Sequence, residues 1–365
     1  MSRHARPRET VVAVAGGPGG GDGRIGYLET VRALSCILVV CYHAIGNDPD
    51  HGVRAAVESW PWWTARAFDL VQMPLFAFVS GRLFALPTVD AAGFGRALGR
   101  RLLRLAVPLT VVTVLFLVTM RVSGLGEAPS WPAAHLRSFG HLWFLQSSLL
   151  LTLFAAAALW VAPERQGGAA VVLFVVAVVG SITLPDVEGD LFSWRGAWVL
   201  APYFFLGRMV AIAERRRPGS VEGRGGAGAL VLLGLLAAAG LAGAVASGHP
   251  QVWTAATTAG TIVVALAAIL AFVVTRPRWW PLEVIAGASY TIYLLHPLML
   301  APMRMVVAKL WSGAPVGLVI ALSFAAGIVG PWLFHRWVVA RVPLAAFLFE
   351  GLLPKRAARP GEGAT

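Results

Sequence analysis

Residues 27–45 read YLETVRALSCILVVCYHAI. A helix of this length and apolarity spans the hydrocarbon core of a bilayer, which takes about 20 mainly apolar residues. Three ionisable side chains interrupt the stretch: Glu29, Arg32 and His43. An ionisable group inside a span is costly and marks a functional site by default. This one segment therefore suggests both a class, helical and membrane-embedded, and the first place to look for chemistry.

The pattern repeats along the chain. Apolar stretches at 28–46, 66–86, 105–122, 141–162, 169–184, 196–213, 228–247, 253–275, 282–301 and 315–340 are each of spanning or near-spanning length. Of the 365 residues 57% are hydrophobic and only 13% charged, about half the usual quarter. A soluble domain of this length needs more charge to cover its surface, and disorder goes with low hydrophobicity. The net charge of +12 is dispersed between apolar runs, so no basic patch points to a nucleic-acid partner; the expected surroundings are the lipid bilayer. The fold class is all-α, a polytopic membrane protein with about ten transmembrane helices.

Ten spans put both termini on one side. With that side cytoplasmic, segments 1–27, 87–104, 163–168, 214–227, 276–281 and 341–365 carry 19 Lys and Arg, against 5 in the opposite loops. That asymmetry follows the positive-inside rule. The expected organisation is a disordered cytoplasmic tail over 1–27, without the apolar h-region of a signal peptide, a transmembrane domain over 28–340 and a cytoplasmic C-terminal tail over 341–365. The location is the inner cell membrane, multi-pass.

Arg32 and His43 are eleven residues apart. At about 100° per residue they project from one helix face, roughly 16 Å apart along the axis. Arg32 is placed near the inner surface and His43 towards the outer one. Glu29, one turn before Arg32, could orient the guanidinium. Snorkelling to the headgroups is the alternative for either residue alone. The same depth reckoning puts Asp69, His141 and His296 at the outer level with His43, and Arg82, Arg100, Arg101, Arg104 and Arg208 at the inner level with Arg32. The positive-inside rule explains most of the inner group; interfacial anchoring does not account for histidines and an aspartate at one depth. Trp60, Trp62, Trp63 and Trp131 read as an interfacial belt, with a sugar-stacking role for Trp143, beside His141, as the minority reading. Cys36 and Cys41 form neither a disulfide framework nor a zinc site, and no metal constellation is expected. No nucleophile elbow, zincin motif or Walker loop is present.

Five segments together resemble the membrane acyltransferase-3 family. YLETVRALSCILVVCYH has that family's Arg-x10-His spacing; MPLFAFVSG (Met73–Gly81), RRLLRLAVP (Arg100–Pro108, read as a basic loop), HLWFL (His141–Leu145) and SYTIYLLHP (Ser289–Pro297) follow in the family's order. Gln72 stands where some relatives have His, and Arg82 follows Ser80-Gly81 in place of the more usual aromatic; both bear on substrate choice. The resemblance implies transfer of an acyl group from acyl-CoA, a co-substrate rather than a tightly bound cofactor, to a hydroxyl of a carbohydrate or glycosylated metabolite. It also implies His43 as the general base, a role histidine suits near neutral pH. Direct base catalysis is the simpler option; a transient acyl-histidine is the other. Asp69 is a candidate to orient His43 or tune it.

CoA is polyanionic, so a rim of Arg32, Arg101 and Arg104, with Glu29 beside it, is the expected donor site. His141, Trp143 and His296 are the expected acceptor-binding residues, with the acceptor entering from the outer side. A transporter or exporter of a polysaccharide or acylated product is the alternative, and a membrane subunit without catalysis a third.

Overall fold

The computed structural model describes residues 23–46, 52–56, 58–86, 90–124, 128–184, 190–216 and 255–353. Among them the chain is helical throughout, with one isolated antiparallel bridge, Arg137 to Leu191. The helices are α1 (Gly23–Ile45), α2 (Trp60–Asp69), α3 (Gln72–Arg82), α4 (Ala91–Ser123), α5 (Trp131–Leu136), α6 (Trp143–Val161), α7 (Gln166–Thr183), α8 (Trp194–Arg216), α9 (Ala255–Thr275), α10 (Trp280–Ala286), α11 (Ser289–Leu310), α12 (Val316–Phe334) and α13 (Pro343–Glu350).

Seven of these, α1, α4, α6, α7, α8, α11 and α12, are long and apolar enough to cross a membrane; α9 and α10, bent by 115° at their junction, make an eighth if counted as one span. The expected stretch 228–247 lies outside the described residues. The stretch 66–86 is built as two short helices, α2 and α3, separated at Leu70 and Val71. The stretch 282–301 breaks at Gly287 and Ala288, and α11 then runs on to Leu310 through Pro297 and Pro302. Hydropathy measures how apolar a window is, and a short break between two helices changes that average little.

Two expected polar segments are ordered helix. Arg100–Pro108 is not a loop but the middle of α4, which is 33 residues long. At 1.5 Å per residue that is about 50 Å, well beyond a hydrocarbon core of about 30 Å. Asp90 caps its start by accepting from the Gly93 N–H at 2.5 Å, so the helix begins before the apolar run and carries its arginines as a helical face. The expected tail at 341–365 begins with α13, whose Phe349 packs edge-on to Phe334 with ring centroids 5.0 Å apart.

One helix pair organises the centre. Arg32 donates from Nη2 to the Ala286 carbonyl at 2.7 Å, Cys36 Sγ lies 3.4 Å from the Ser289 carbonyl, and the His43 ring is 5.1 Å from that of His296. The partner numbers rise together, so α1 runs parallel to α10 and α11 in constant register. Cys36 and His43, like Ser289 and His296, are seven apart, the repeat that keeps a seam between two supercoiled helices. Gly327 of α12 closes over the seam, where an added Cβ would meet Val40 and Leu300. Beside it α3 and α8 cross at glycines: a Cβ on Gly81 would run into the backbone of Phe204, and one on Gly207 into the Phe78 carbonyl. Small residues let backbones approach where lipid leaves no hydrophobic drive for association. Away from this centre α7 leaves Val172, Val175 and Val179 exposed, a face suited to lipid.

Candidate functional site

The α1–α11 seam has a different chemical character at each end. At the end near Arg32 the residues are cationic. Arg32 is half-buried, bonded to Ala286, with Glu29, Arg104 and Glu350 as its charged neighbours. The α10–α11 break explains the bond: it leaves the Ala286 carbonyl without its helical partner, and the guanidinium and, at 2.8 Å, the Ser289 hydroxyl donate to it instead. A cavity of about 360 Å³ opens close by, lined by Arg100, Arg101 and Arg104 from α4, by Ala85 and Leu86, and by Gly351 after α13. Arg101 lends two N–H groups to the C-terminal end of α3, at Ser80 O (3.1 Å) and Leu83 O (3.4 Å), and lies 4.6 Å over the Phe84 ring. It serves both the fold and the cavity. Arg104 is fixed through its backbone: the Tyr290 hydroxyl donates to its carbonyl at 2.7 Å. Gly351 sits against that same backbone with φ +61°. Left-handed backbone in so close an approach suits glycine.

Residues that sequence reasoning missed complete this end. Glu214 of α8 takes ion pairs from Arg82 and, at 2.7 Å, from Arg276, with the Arg276 guanidinium over the Tyr27 ring. Glu350 accepts from Thr291 at 3.2 Å and pairs with His335 at 3.1 Å. Glu214 precedes Arg215 and Arg216 at a span end, where an acidic residue among basic ones was the available signal. Glu350 lay in a stretch read as tail.

At the other end three imidazoles converge. His43, His141 and His296 have ring centroids 5.1, 5.2 and 6.4 Å apart, the longest between His43 and His141. His141 and His296 are buried and His43 is half-buried. Backbone carbonyls hold two of the rings. His296 Nδ1 is 2.8 Å from Tyr293 O and 3.2 Å from Ile292 O, so Nδ1 carries the proton and Nε2 the lone pair. That Nε2 is buried, with no hydrogen-bond partner among the described residues. His141 Nε2 is 3.1 Å from Leu294 O, and the Tyr293 hydroxyl donates in turn to the His141 carbonyl. Tyr293, three residues before His296 and so on nearly the same helix face, was in the recognised motif but not singled out. Arg304, also missed, donates to the His43 carbonyl at 3.3 Å.

His141 sits in a single 3₁₀ turn, Gly140–Leu142, entered through Gly140 at φ +48°. A polar lock behind it holds the turn: Gln146 Nε2 donates to the carbonyls of His135 (2.8 Å) and Arg137 (3.0 Å), and Ser193 Oγ donates to Gln146 Oε1 at 2.6 Å. Asp190 joins from the next loop, accepting from Ser138 Oγ at 2.7 Å and from the Arg195 N–H at 2.6 Å.

Asp69 and Trp143 stand apart from the imidazoles. Asp69 accepts from Gln72 Nε2 at 3.2 Å and has Arg66 as its charged neighbour; no hydrogen bond or ion pair joins it to a histidine among the described residues. Trp143 packs against α8, where its ring occupies the space beside Gly196. Among the described residues no group of His, Cys, Asp and Glu is arranged to hold a metal ion.

Chemically, one end offers fixed cations around a cavity and the other offers three imidazoles packed together, two of them held by backbone carbonyls. A family model described as an acyltransferase domain matches residues 25–336, a range that takes in the arginines of one end and the three histidines of the other but not Glu350 or Gly351. No curated protein and no solved structure matches the chain.

Proposed function

The chain belongs to the membrane acyltransferase-3 family, and from that premise we propose that it moves an acyl group from acyl-CoA, bound at the arginine end, to a hydroxyl acceptor at the histidine end. The observation that carries this reading is the parallel α1–α11 seam, which sets Arg32 and His43 on one face and assigns them opposite environments. The phosphates of CoA suit the cavity lined by Arg100, Arg101 and Arg104, since guanidinium groups form charge-assisted bonds to phosphate oxygens. Only the thioester then has to reach His43, about 16 Å along the helix from Arg32.

His43 removes the hydroxyl proton as the acceptor oxygen attacks the thioester carbon. A new C–O ester bond forms, the C–S bond breaks, and the proton passes from the imidazole to the CoA thiolate, which leaves as the thiol. His141 and His296 line the acceptor's place. Asp69, held by Gln72, acts in this reading through the α2–α3 junction rather than on His43. The arginine end faces the cytoplasm, where CoA is found, and the acceptor is a carbohydrate or glycosylated metabolite entering from the other side.

Sealed right-side-out vesicles loaded with acyl-CoA test the reading, with an impermeant glycan acceptor added outside and product read by intact mass. Acylated product outside is the expected result. Product formed only with acceptor inside overturns the sidedness. Passage of the acceptor without any mass change points to transport instead.

A further inference from the structure

The cavity at the arginine end has two kinds of wall. Arg100, Arg101 and Arg104 of α4 supply one; aliphatic side chains, among them Leu86, Leu352 and Leu353, line much of the rest. Guanidinium groups account for phosphates and leave the leucines without a use. Leu352 and Leu353 are 36% and 52% exposed, and they lie beyond residue 336, where the family match ends. Their backbone is nevertheless tied down. Phe349 packs on Phe334, Glu350 is bonded to Thr291 and His335, and the N–H groups of Gly351 and Leu352 donate to Phe347 O (2.9 Å) and Ala346 O (3.3 Å). Gly351 lies so close to α4 that an added Cβ would meet the Arg104 Cα and the Leu103 carbonyl. The fold thus fixes an apolar lip beside a cationic wall.

Size and direction say which part of a donor belongs there. Ligand pockets run from about 300 to 1,000 Å³, so a cavity of about 360 Å³ takes one part of acyl-CoA. The thioester is needed at His43, about 16 Å along α1 from Arg32. The pantetheine arm must run that way, and the nucleotide end stays among the arginines. Within that end the only extended apolar surface is the face of the adenine ring. We propose that Leu352 and Leu353 form the adenine subsite of the donor cavity, so that the turn after α13 gives the protein its preference for a nucleotide-bearing thioester. The proposal rests on the acyl-CoA reading and deepens it; no bond forms or breaks at this subsite. Burial of a ring face against aliphatic carbon scales with apolar area, whereas phosphate binding depends on charge and is screened by salt. The two contributions therefore separate in experiment.

The test uses the purified full chain in lipid nanodiscs and two probes that displace radiolabelled acetyl-CoA. One is adenosine 3′,5′-bisphosphate; the other is 1,4-anhydroribitol 3,5-bisphosphate, which carries the same sugar and phosphates without the base. The adenosine probe is expected to bind about tenfold more tightly, a ratio that about 55 Å² of buried apolar area supplies. In the double variant Leu352→Ser with Leu353→Ser that ratio falls below about twofold, while the abasic probe binds as before. Leu352→Met with Leu353→Met, which keeps the aliphatic surface, retains the ratio. A wild-type ratio below about threefold, or displacement by neither probe, overturns the proposal without recourse to any variant. So does a ratio that survives the serine changes, and so does an equal loss of both probes, which would make the lip a support for the arginines. In each of these cases, binding of acetyl-CoA to the wild type leaves the donor reading standing. Absence of that binding overturns both.

Discussion

The two ends of the α1–α11 seam solve opposite problems with the same backbone device. At the arginine end, charges that cannot be shed are held by carbonyls and carboxylates: Arg32 by Ala286, Arg101 by Ser80 and Leu83, and Arg82 and Arg276 by Glu214. At the histidine end, carbonyls of Ile292, Tyr293 and Leu294 hold imidazoles, and among the described residues no carboxylate bonds to any of the three. A carbonyl opposite a guanidinium stabilises a permanent cation, which suits capture of a polyanion. A carbonyl opposite an imidazole N–H selects a tautomer and leaves a lone pair, which suits proton removal. In the proposed reading this difference gives binding to one end and the chemical step to the other.

That assignment breaks most visibly at His43. In His43→Ala, turnover is expected to fall about 10³-fold, within the range for loss of a general base, while acyl-CoA affinity stays within about twofold. Turnover and donor affinity measured on the same purified variant check this; a parallel loss of both would merge the two ends into one site. The next largest effect belongs to stability. Glu214→Ala removes the shared carboxylate from two half-buried guanidinium groups, and Glu214 is itself only 7% exposed. Breaking a buried pair in this way costs about 3 kcal/mol, to be read as a lower unfolding midpoint in denaturant. An unchanged midpoint would mean that the network binds ligand rather than holds the fold.

The smallest expected effect sharpens the donor end. Arg104→Ala leaves the Tyr290 bond intact, because that bond is to the Arg104 carbonyl. It removes one charge from the cavity, and acyl-CoA affinity should weaken about tenfold, or roughly 1.4 kcal/mol. Arg104→Lys should recover only part of it, since an ammonium lacks the planar fork. Titration with acyl-CoA measures both, and equal affinity in all three proteins would remove Arg104 from the donor site.

Much of this was legible before any coordinates. The Arg32–His43 spacing follows from helix geometry alone, and the structure confirms it by turning both residues towards the α10–α11 side. His141 and His296 were placed at the level of His43 by counting residues along spans, and they do meet it. Asp69 was placed at the same level by the same count, yet it bonds to Gln72. Depth is a one-dimensional reading, and two residues at one depth can face different neighbours. Trp143 shows the same limit: adjacency to His141 in sequence says little about direction, and its ring packs on α8.

Sequence by itself determined the helical, membrane-type composition, the family and the residues fit for chemistry, because apolar run length and residue type are local properties. Tertiary structure decided which of those residues meet. The Ala286 carbonyl is free of a helical N–H, and so open to Arg32 and the Ser289 hydroxyl, only because the chain breaks at Gly287 and Ala288. Glu350 joins the arginine end only because α13 returns to α4 instead of leaving as a tail. His141 meets the Leu294 carbonyl only because the Gly140–Leu142 turn packs against α11. Such outcomes depend on close approach between segments and on where each backbone hydrogen bond goes, and neither hydropathy nor residue spacing records that.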